Sequence, residues 1–291
     1  EGDGPLAGRV LLQTGHTSYR IFEVKKLETI RRQELSLSVS AGDIRRGQEI
    51  AAAARSQSAE PPLVMAQVSS LPSQAPDPRA ARDAALVNGQ PFTLVTERGN
   101  ASRWFKVSML TDGRELAVIW QVADDSPWQN AADNFAKAFV GGDAVDLKLL
   151  SPANGPIRVL AAPLNGQPQA IYWQQKADVK QNPQRYMVPN NPANARTFDV
   201  VKVLDSAQVD VKTSDRGYSV LVRVPLAAIG LDPLPQEIKG VAGVIFSDPA
   251  GTDRQTRLYW HDKATTLVND VPTESSLDVD RFGVISVQPM K

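Results

Sequence analysis

The sequence predicts a mostly β protein: an antiparallel two-sheet β-sandwich, jelly-roll or immunoglobulin-like, with an N-terminal hairpin-helix appendage. Short runs rich in β-branched and aromatic residues recur beyond residue 80, as is typical of all-β domains. Asn-Gly or Asp-Gly dipeptides separate several of these runs. Such dipeptides supply the positive φ angles that two-residue hairpins need, so they are strong local evidence for antiparallel pairing.

The first segment, residues 1–57, is predicted to lie outside the sandwich. Residues 9–14 and 20–25 are β-rich runs around a Gly-His-Thr-Ser turn, which indicates a hairpin. A Ser-x-x-Asp start favours a helix over residues 40–56. Because an isolated hairpin is marginal in water, we expect it to end a preceding β domain or to add to a partner's sheet.

Residues 58–80 are predicted to be an extended or mobile linker. Five prolines stand there among Ser, Ala and Gln, and proline cannot donate to a sheet ladder. The main domain boundary is therefore placed in this segment, and the sandwich is assigned to residues 81–291.

The sandwich is built in order from strand-turn-strand units. One strand, over residues 115–123, is apolar on both faces, so it is predicted to be central and Trp120 to be core. A short helix is predicted over residues 130–139, before a Gly-Gly pair. The predicted hairpins join 84–87 to 92–96, 105–110 to 115–123, 157–163 to 169–174 and 209–213 to 218–225, with further strands at 240–248, 257–260 and 283–287.

Charge and composition exclude several classes of function. Lys plus Arg and Asp plus Glu both number 32 and form no long single-sign block, so nucleic acid is not a predicted partner. No run is apolar enough for a transmembrane helix. The absence of cysteine excludes disulfides and thiolate metal sites and fits an exported protein. With a first residue other than Met, the chain is expected to be processed or part of a longer protein, and extracytoplasmic: periplasmic, secreted or cell-surface.

Two segments carry a family resemblance. Val-Ala-Asp-Asp-Ser-Pro-Trp at 122–128 is followed by Gly-Gly-Asp-Ala-Val-Asp-Leu at 141–147. Together they resemble carbohydrate-binding module family 9 and its relatives in the DOMON-like superfamily, which bind sugars or haem b. The resemblance covers about residues 86–291, and the segments 218–230, 245–248 and 257–260 match its later strands in the same order.

The resemblance implies a noncatalytic glycan-binding module of a larger exported bacterial protein. It also implies a structural Ca²⁺, for which the candidate ligands are Asp124, Asp125, Asp143 and Asp146. The alternative is that these carboxylates only cap turns and end strands.

Tryptophan indoles are the candidates for stacking on a sugar, because pyranose rings present C–H groups to an aromatic plane. Trp104 and Trp128 lie in or beside predicted loops, whereas Trp173 and Trp260 lie in strands where alternation turns one residue of each Tyr-Trp pair outward. Asn130 is the candidate for hydrogen bonds to sugar hydroxyls.

Two functions other than glycan binding stay open as alternatives. The sequence contains no paired glutamates at glycosidase positions, serine elbow or phosphate loop, so an enzyme is not predicted, and His261 is assigned to a strand end. One alternative is an assembly module that docks to another domain or chain through its N-terminal hairpin. The other is a haem b protein, for which Met109, Met187 and Lys263 are candidate axial ligands.

Overall fold

The computed structural model describes residues 6–13, 19–27, 63–79, 91–97, 100–188, 191–261 and 271–289. The chain divides into two compact units, Glu1–Glu60 and Pro61–Lys291. In the first unit β1 (Leu6–Gln13) pairs antiparallel with β2 (Tyr19–Leu27), which confirms the predicted hairpin. The predicted helix over 40–56 lies outside the described residues, as do residues 84–87 of a predicted hairpin.

The second unit is built from β-strands with three short 3-10 turns and one short helix among its described residues. The strands are β3 (Leu63–Gln67), β4 (Thr93–Glu97), β5 (Asn100–Thr111), β6 (Glu115–Ala123), β7 (Ala144–Ser151), β8 (Gly155–Leu164), β9 (Gln167–Gln174), β10 (Gln184–Val188), β11 (Asn191–Phe198), β12 (Val200–Val203), β13 (Gln208–Ser214), β14 (Gly217–Pro225), β15 (Glu237–Ser247), β16 (Arg254–Tyr259) and β17 (Gly283–Pro289). The helix is α1 (Val271–Ser275), and the 3-10 turns are Phe135–Lys137, Leu226–Ile229 and Val279–Arg281.

One large curled sheet forms the second unit. Its strand order is β12-β9-β8-β7-β15-β17-β3-β5-β6-β14-β13, with β16 added to β15 and β4 to β5, while β10 and β11 form a small separate sheet. Neighbours are antiparallel except at β17–β3 and β3–β5, which are parallel. Because the sheet curls, its two halves cover a common core, and the predicted mostly β sandwich is confirmed.

The predicted tight turns join the strands expected of them. Asp112-Gly113 links β5 to β6, and Asn165-Gly166 links β8 to β9 with φ angles of 52° and 74°. Asp215-Arg216 links β13 to β14. Local turn chemistry therefore set the register of three hairpins.

The core lies between the two halves of the sheet. Trp120 is 1% exposed and is confirmed as a core residue of the central strand β6. The face of β7 that carries Val145, Leu147 and Leu149 is buried in the same cluster. Both faces of several strands are covered, since Lys106 and Gln121 on the opposite face are also fully buried.

Strand β3 contradicts the prediction that residues 58–80 are a linker. This strand lies between β17 and β5 and pairs with both, so a central strand fills part of the 58–80 segment. Its five residues, Leu-Val-Met-Ala-Gln, contain no proline, and all the prolines of the segment lie outside it. Residue Ala75 then packs on the sheet, and its N–H donates to Asp210 Oδ2 at 2.7 Å.

The predicted helix over 130–139 is also corrected. Only the 3-10 turn Phe135–Lys137 forms there, and Asn130 makes a bridge to Gly142. The Asn130 side chain replaces the helical bonds: Nδ2 donates to the Ala138 carbonyl at 2.8 Å, and Oδ1 accepts from the Ala132 N–H at 3.1 Å. Side chains such as Asn compete in this way with helical backbone bonds.

None of the helices in the described ranges has both the length and the apolar character that crossing a membrane requires.

Candidate functional site

The segment 124–143, hereafter the insert, connects β6 to β7 and closes one end of the sandwich. The insert folds back on itself, because the N–H of its last residue, Asp143, donates to the Gln129 carbonyl at 2.7 Å. Gly142 has a φ of +148°, and a Cβ there would lie 2.5 Å from that same carbonyl oxygen. Only glycine fits this close approach, so the Gly-Gly pair ends the insert rather than a helix.

Two carboxylates are buried where the insert meets the sheet. Asp143 is fully buried, and its two oxygens accept the N–H groups of Gln129 at 3.1 Å and Ser247 at 2.7 Å. Asp124 is 7% exposed, and its Oδ1 accepts from the N–H and hydroxyl of Ser126. Asp124 Oδ2 is buried and has no hydrogen-bond partner among the described residues. This arrangement places two anionic groups, one incompletely satisfied, in a poorly solvated end of the sandwich.

Burial shifts the proton equilibria of this pair. Burial first, and the neighbouring charge of Asp124 second, raise the pKa of Asp143 to about 7. Burial also raises the pKa of Asp124, against the lowering effects of Ser126 and Arg103. The Tyr218 hydroxyl is buried beside both carboxylates, and burial and their charges raise its pKa. Either a bound proton or a bound cation would therefore stabilise these two carboxylates.

The ligand atoms of this site are oxygens, which a hard cation prefers, but there are few of them. The described residues contain no group of three or more acidic or histidine side chains arranged to hold a metal. The carboxylates of Asp124 and Asp143 interact electrostatically with each other and with the Tyr218 hydroxyl, which has no hydrogen-bond partner in the described chain. Asp125 is exposed.

Asp146 does not belong to this site, and its assignment as a metal ligand is corrected. It is fully buried in β7, where Arg158 donates to both of its oxygens at 2.8 Å. The Tyr259 hydroxyl also donates to Asp146. This ion pair and hydroxyl already satisfy the carboxylate. Burial alone would raise the pKa of Asp146, but the charge of Arg158 helps to hold it below its usual value. Alternation along β7 separates its side chain from the insert end.

A polar cavity of about 270 Å³, hereafter the end cavity, opens beside the carboxylate pair. It is lined by Ser102, Arg103, Ala123, Asp124, Asp125, Asp215 and Arg216. The Asp124 N–H donates to the Arg216 carbonyl at 3.3 Å, which ties the β13–β14 turn to the end of β6. Arg103 stacks over Phe246 with 5.2 Å to the ring centroid and pairs with Glu97 at 3.6 Å. The cavity thus combines guanidinium and carboxylate groups, of which Arg103 is held by contacts to Phe246 and Glu97.

The structure separates the four candidate tryptophans into two pairs. Trp104 and Trp128 are half-buried. Trp173 and Trp260 are each 1% exposed, and their assignment as sugar-stacking residues is corrected because no ring face is accessible. Their neighbours Tyr172 and Tyr259 are buried too, since both faces of this half of the sheet are covered.

Trp104 is the tryptophan nearest in register to the end cavity. It pairs across strands with Ala123, which lines the cavity, and it shares a sheet face with Ser102, another lining residue. The ammonium of Lys106 lies 5.7 Å from its ring centroid. Trp128 instead packs on Tyr218, with ring centroids 4.4 Å apart.

Asn130 is a structural residue of the insert, and its assignment to ligand binding is corrected. Its Nδ2 donates to Ala138 and also to the Asp143 carbonyl at 3.0 Å, so the amide is used internally. Of the candidate haem ligands, Met109 is fully buried in β5 and Met187 is 40% exposed in β10. Lys263 lies outside the described residues, and haem binding stays a prediction.

Sequence reasoning missed Arg103, Asp215 and Arg216 as site residues. Asp215-Arg216 was identified as a turn, and its position opposite Asp125 follows only from the pairing of β14 with β6. The nearest signal in the sequence was the charged residue Arg103 directly before Trp104.

No protein-family model matches this chain, and no curated protein matches it in sequence. Among solved structures, a carbohydrate-binding module family 9 from Caldicellulosiruptor kristjanssonii in complex with cellotriose is 13% identical, with a TM-score of 0.45, and the match covers 79% of this chain and 94% of the module. The glucose complex is 11% identical, with a TM-score of 0.43 and coverage of 78% and 97%. A proposed carbohydrate-binding protein from Bacteroides uniformis is 11% identical, with a TM-score of 0.48 and coverage of 78% and 98%.

Proposed function

We propose that this chain is a noncatalytic glycan-binding module whose binding site is the end cavity. The observation that carries the proposal is the placement of half-buried Trp104 beside a cavity lined by exposed Asp125, Asp215 and Arg216. Stacking on an indole supplies apolar contact, and charged side chains fix the orientation of hydroxyl groups. Both requirements for sugar recognition are met within one small region.

The polar side chains suit a neutral, hydroxyl-rich ligand. Carboxylates of Asp125 and Asp215 accept hydrogen bonds from hydroxyls, and the guanidinium of Arg216 donates to hydroxyl oxygens. Opposite charges lie together along the cavity wall, so the wall favours polar groups without favouring one sign of charge. A sugar hydroxyl, which donates and accepts, matches such a surface.

The buried carboxylate pair supports a noncatalytic role. Asp143 has the raised pKa that a general acid requires, but its side chain is fully buried. General acid catalysis needs the carboxyl group within hydrogen-bond reach of the glycosidic oxygen. Asp143 therefore serves the fold at the insert rather than chemistry on a ligand.

We further propose that Asp124 and Asp143 hold a structural Ca²⁺. The unpartnered Asp124 Oδ2 and the raised pKa of Asp143 both indicate carboxylates that a divalent cation would stabilise. The protein supplies few anionic ligands among its described residues, so water and neutral oxygens would complete the coordination. Asp125 remains available to the sugar. The absence of cysteine suits an exported setting within a larger protein.

A glycan array on the full chain, followed by calorimetry with the best ligand, tests the sugar site. Trp104→Ala and Asp215→Asn are expected to weaken binding, whereas Asp205→Asn, an exposed turn carboxylate outside the lining set, is expected to bind like the parent. Melting curves of each variant check that it is folded. Folded parent protein that retains no glycan would overturn the proposal and favour the assembly-module alternative.

A further inference from the structure

We propose that a second cavity, hereafter the hairpin cavity, is a separate subsite for a single neutral sugar residue. It is lined by Ala132, Asp133, Asn134, Phe135, Leu164, Asn165 and Gln169, and its volume is about 210 Å³. It shares no lining residue with the end cavity. The class of ligand rests on the proposed function, while the existence of the site rests on the geometry below.

One wall is the 3-10 turn of the insert, and it is held in place from behind. The Tyr186 hydroxyl donates to the Ala136 carbonyl at 2.6 Å. Fully buried Phe139 packs edge-on against the rings of Trp173 and Tyr186, with centroids 6.3 and 5.2 Å away. These contacts fix Phe135, whose half-buried side chain faces the cavity.

The opposite wall is the tip of the β8–β9 hairpin. Asn165 has a φ of 52°, which the tight turn requires, and its exposed side chain borders the cavity. Leu164 is buried at the base of the cavity. Gln169 pairs in register with Ala162, so its half-buried side chain stands on the sheet face that the insert covers. The cavity is therefore bounded by two anchored elements and needs little ordering on binding.

The lining chemistry fits a hydroxyl-rich ligand. The side-chain amides of Asn165 and Gln169 make no hydrogen bond to any described residue, so both can donate and accept toward a ligand. Phe135 supplies an aromatic ring beside them. The one carboxylate of the lining, Asp133, accepts from the Lys137 ammonium at 3.4 Å and the Asn134 amide at 3.3 Å, which leaves little net charge.

Size and charge restrict the ligand further. The volume of about 210 Å³ is below the ~300–1,000 Å³ typical of sites for drug-sized molecules, so one monosaccharide unit is the appropriate occupant. An anionic ligand would meet Asp133, and an apolar ligand would leave the amides of Asn165 and Gln169 unpaired.

The test is an NMR titration of the ¹⁵N-labelled full chain with D-glucose, D-galactose, D-mannose and D-xylose. Binding is monitored by the side-chain amide signals of Asn134, Asn165 and Gln169. We expect one of these sugars to shift these signals saturably. Asn165→Gly keeps the positive φ of the turn while removing the amide, and Gln169→Ala removes the second amide. Each is expected to weaken binding about tenfold. Gln167→Ala, on the same strand and exposed outside the lining set, is the matched control and should have no effect.

The outcomes separate the two proposals. Shifts confined to the end cavity, which Trp104→Ala abolishes, would overturn the hairpin subsite and support the proposed function. Shifts at the hairpin amides that survive Trp104→Ala but are lost in the Asn165 and Gln169 variants would support this inference independently. If Gln167→Ala weakens binding as much as Gln169→Ala, or if no sugar shifts the hairpin amides, the subsite is overturned.

Discussion

Arg158 and Asp146 form a two-pronged ion pair in the covered face of the sheet, with Nε and Nη2 each 2.8 Å from a different carboxylate oxygen. Both side chains are almost completely buried. The guanidinium also stacks 4.9 Å from the centroid of Phe139, the aromatic residue that anchors the insert. This pair therefore links the sheet to the insert that carries both cavities.

Replacing Asp146 by Asn should destabilise the protein by about 3–5 kcal/mol, because a buried guanidinium would lose its charge partner. Urea denaturation measures this free energy of unfolding. Asp125→Asn, on an exposed side chain, should change it little. A metal role for Asp146 would instead make the loss depend on added Ca²⁺, and we expect no such dependence.

The stability of the protein should fall as the pH rises from about 4 to about 7. The Asp143 carboxyl has a folded-state pKa of about 7, well above the usual Asp pKa of 3.8. The folded state therefore binds more protons than the unfolded state in this window, and the stabilisation is lost as pH rises through 7. The acids with lowered pKa values, such as Asp146, titrate below this range. Thermal melts across the window measure the slope without added cations.

Asp124→Asn should flatten that pH dependence. The variant keeps the Oδ1 that accepts from Ser126 and puts a neutral amide group in place of the unpartnered Oδ2. Removing the neighbouring charge lowers the pKa of Asp143, since that charge is the second cause of its rise. Near pH 7.5, Ca²⁺ should raise the melting temperature of the parent and not of the variant. An equal effect of Ca²⁺ on both proteins would contradict the proposed site.

Trp120→Ala and Trp104→Ala should have opposite phenotypes. Trp120 is 1% exposed, so its truncation should cost about 3–5 kcal/mol of stability. Trp104 is half-buried at the end cavity, so its truncation should mainly reduce glycan retention. Denaturation curves and calorimetry on the same two proteins compare the effects. A large stability loss in Trp104→Ala with unchanged sugar affinity would count against the end cavity.

Shortening the chain should locate the true domain boundary. A fragment of residues 61–291 is expected to fold, whereas one of residues 80–291 should not, because it lacks β3. The lost strand pairs with both β17 and β5 and buries Leu63 and Met65, each worth about 1.5–3 kcal/mol. Circular dichroism melts of the two fragments measure the difference. A cooperative melt of the shorter fragment would restore the linker assignment.

The sequence alone determined the class of the fold and much of its local pairing. Asn165-Gly166 and Asp112-Gly113 specified their turns because the backbone there needs positive φ, and no distant contact is required for that choice. The alternation of β6 likewise identified Trp120 as core. These features depend only on residues that are close together in the sequence.

Only the tertiary structure decided which residues belong to each site. Asp143, directly before β7, and Asp146 within it are three residues apart, yet the first feels the charge of Asp124 and the second pairs with Arg158, because the chain sends their side chains to different surroundings. Trp173 and Trp260 are buried since additional chain covers the second face of their sheet. The prolines on either side of β3 led to the prediction of a linker there. The place of β3 in the sheet depends on partners in β17 and β5 that are distant in sequence. Such long-range pairing leaves no periodic signal in the strand itself.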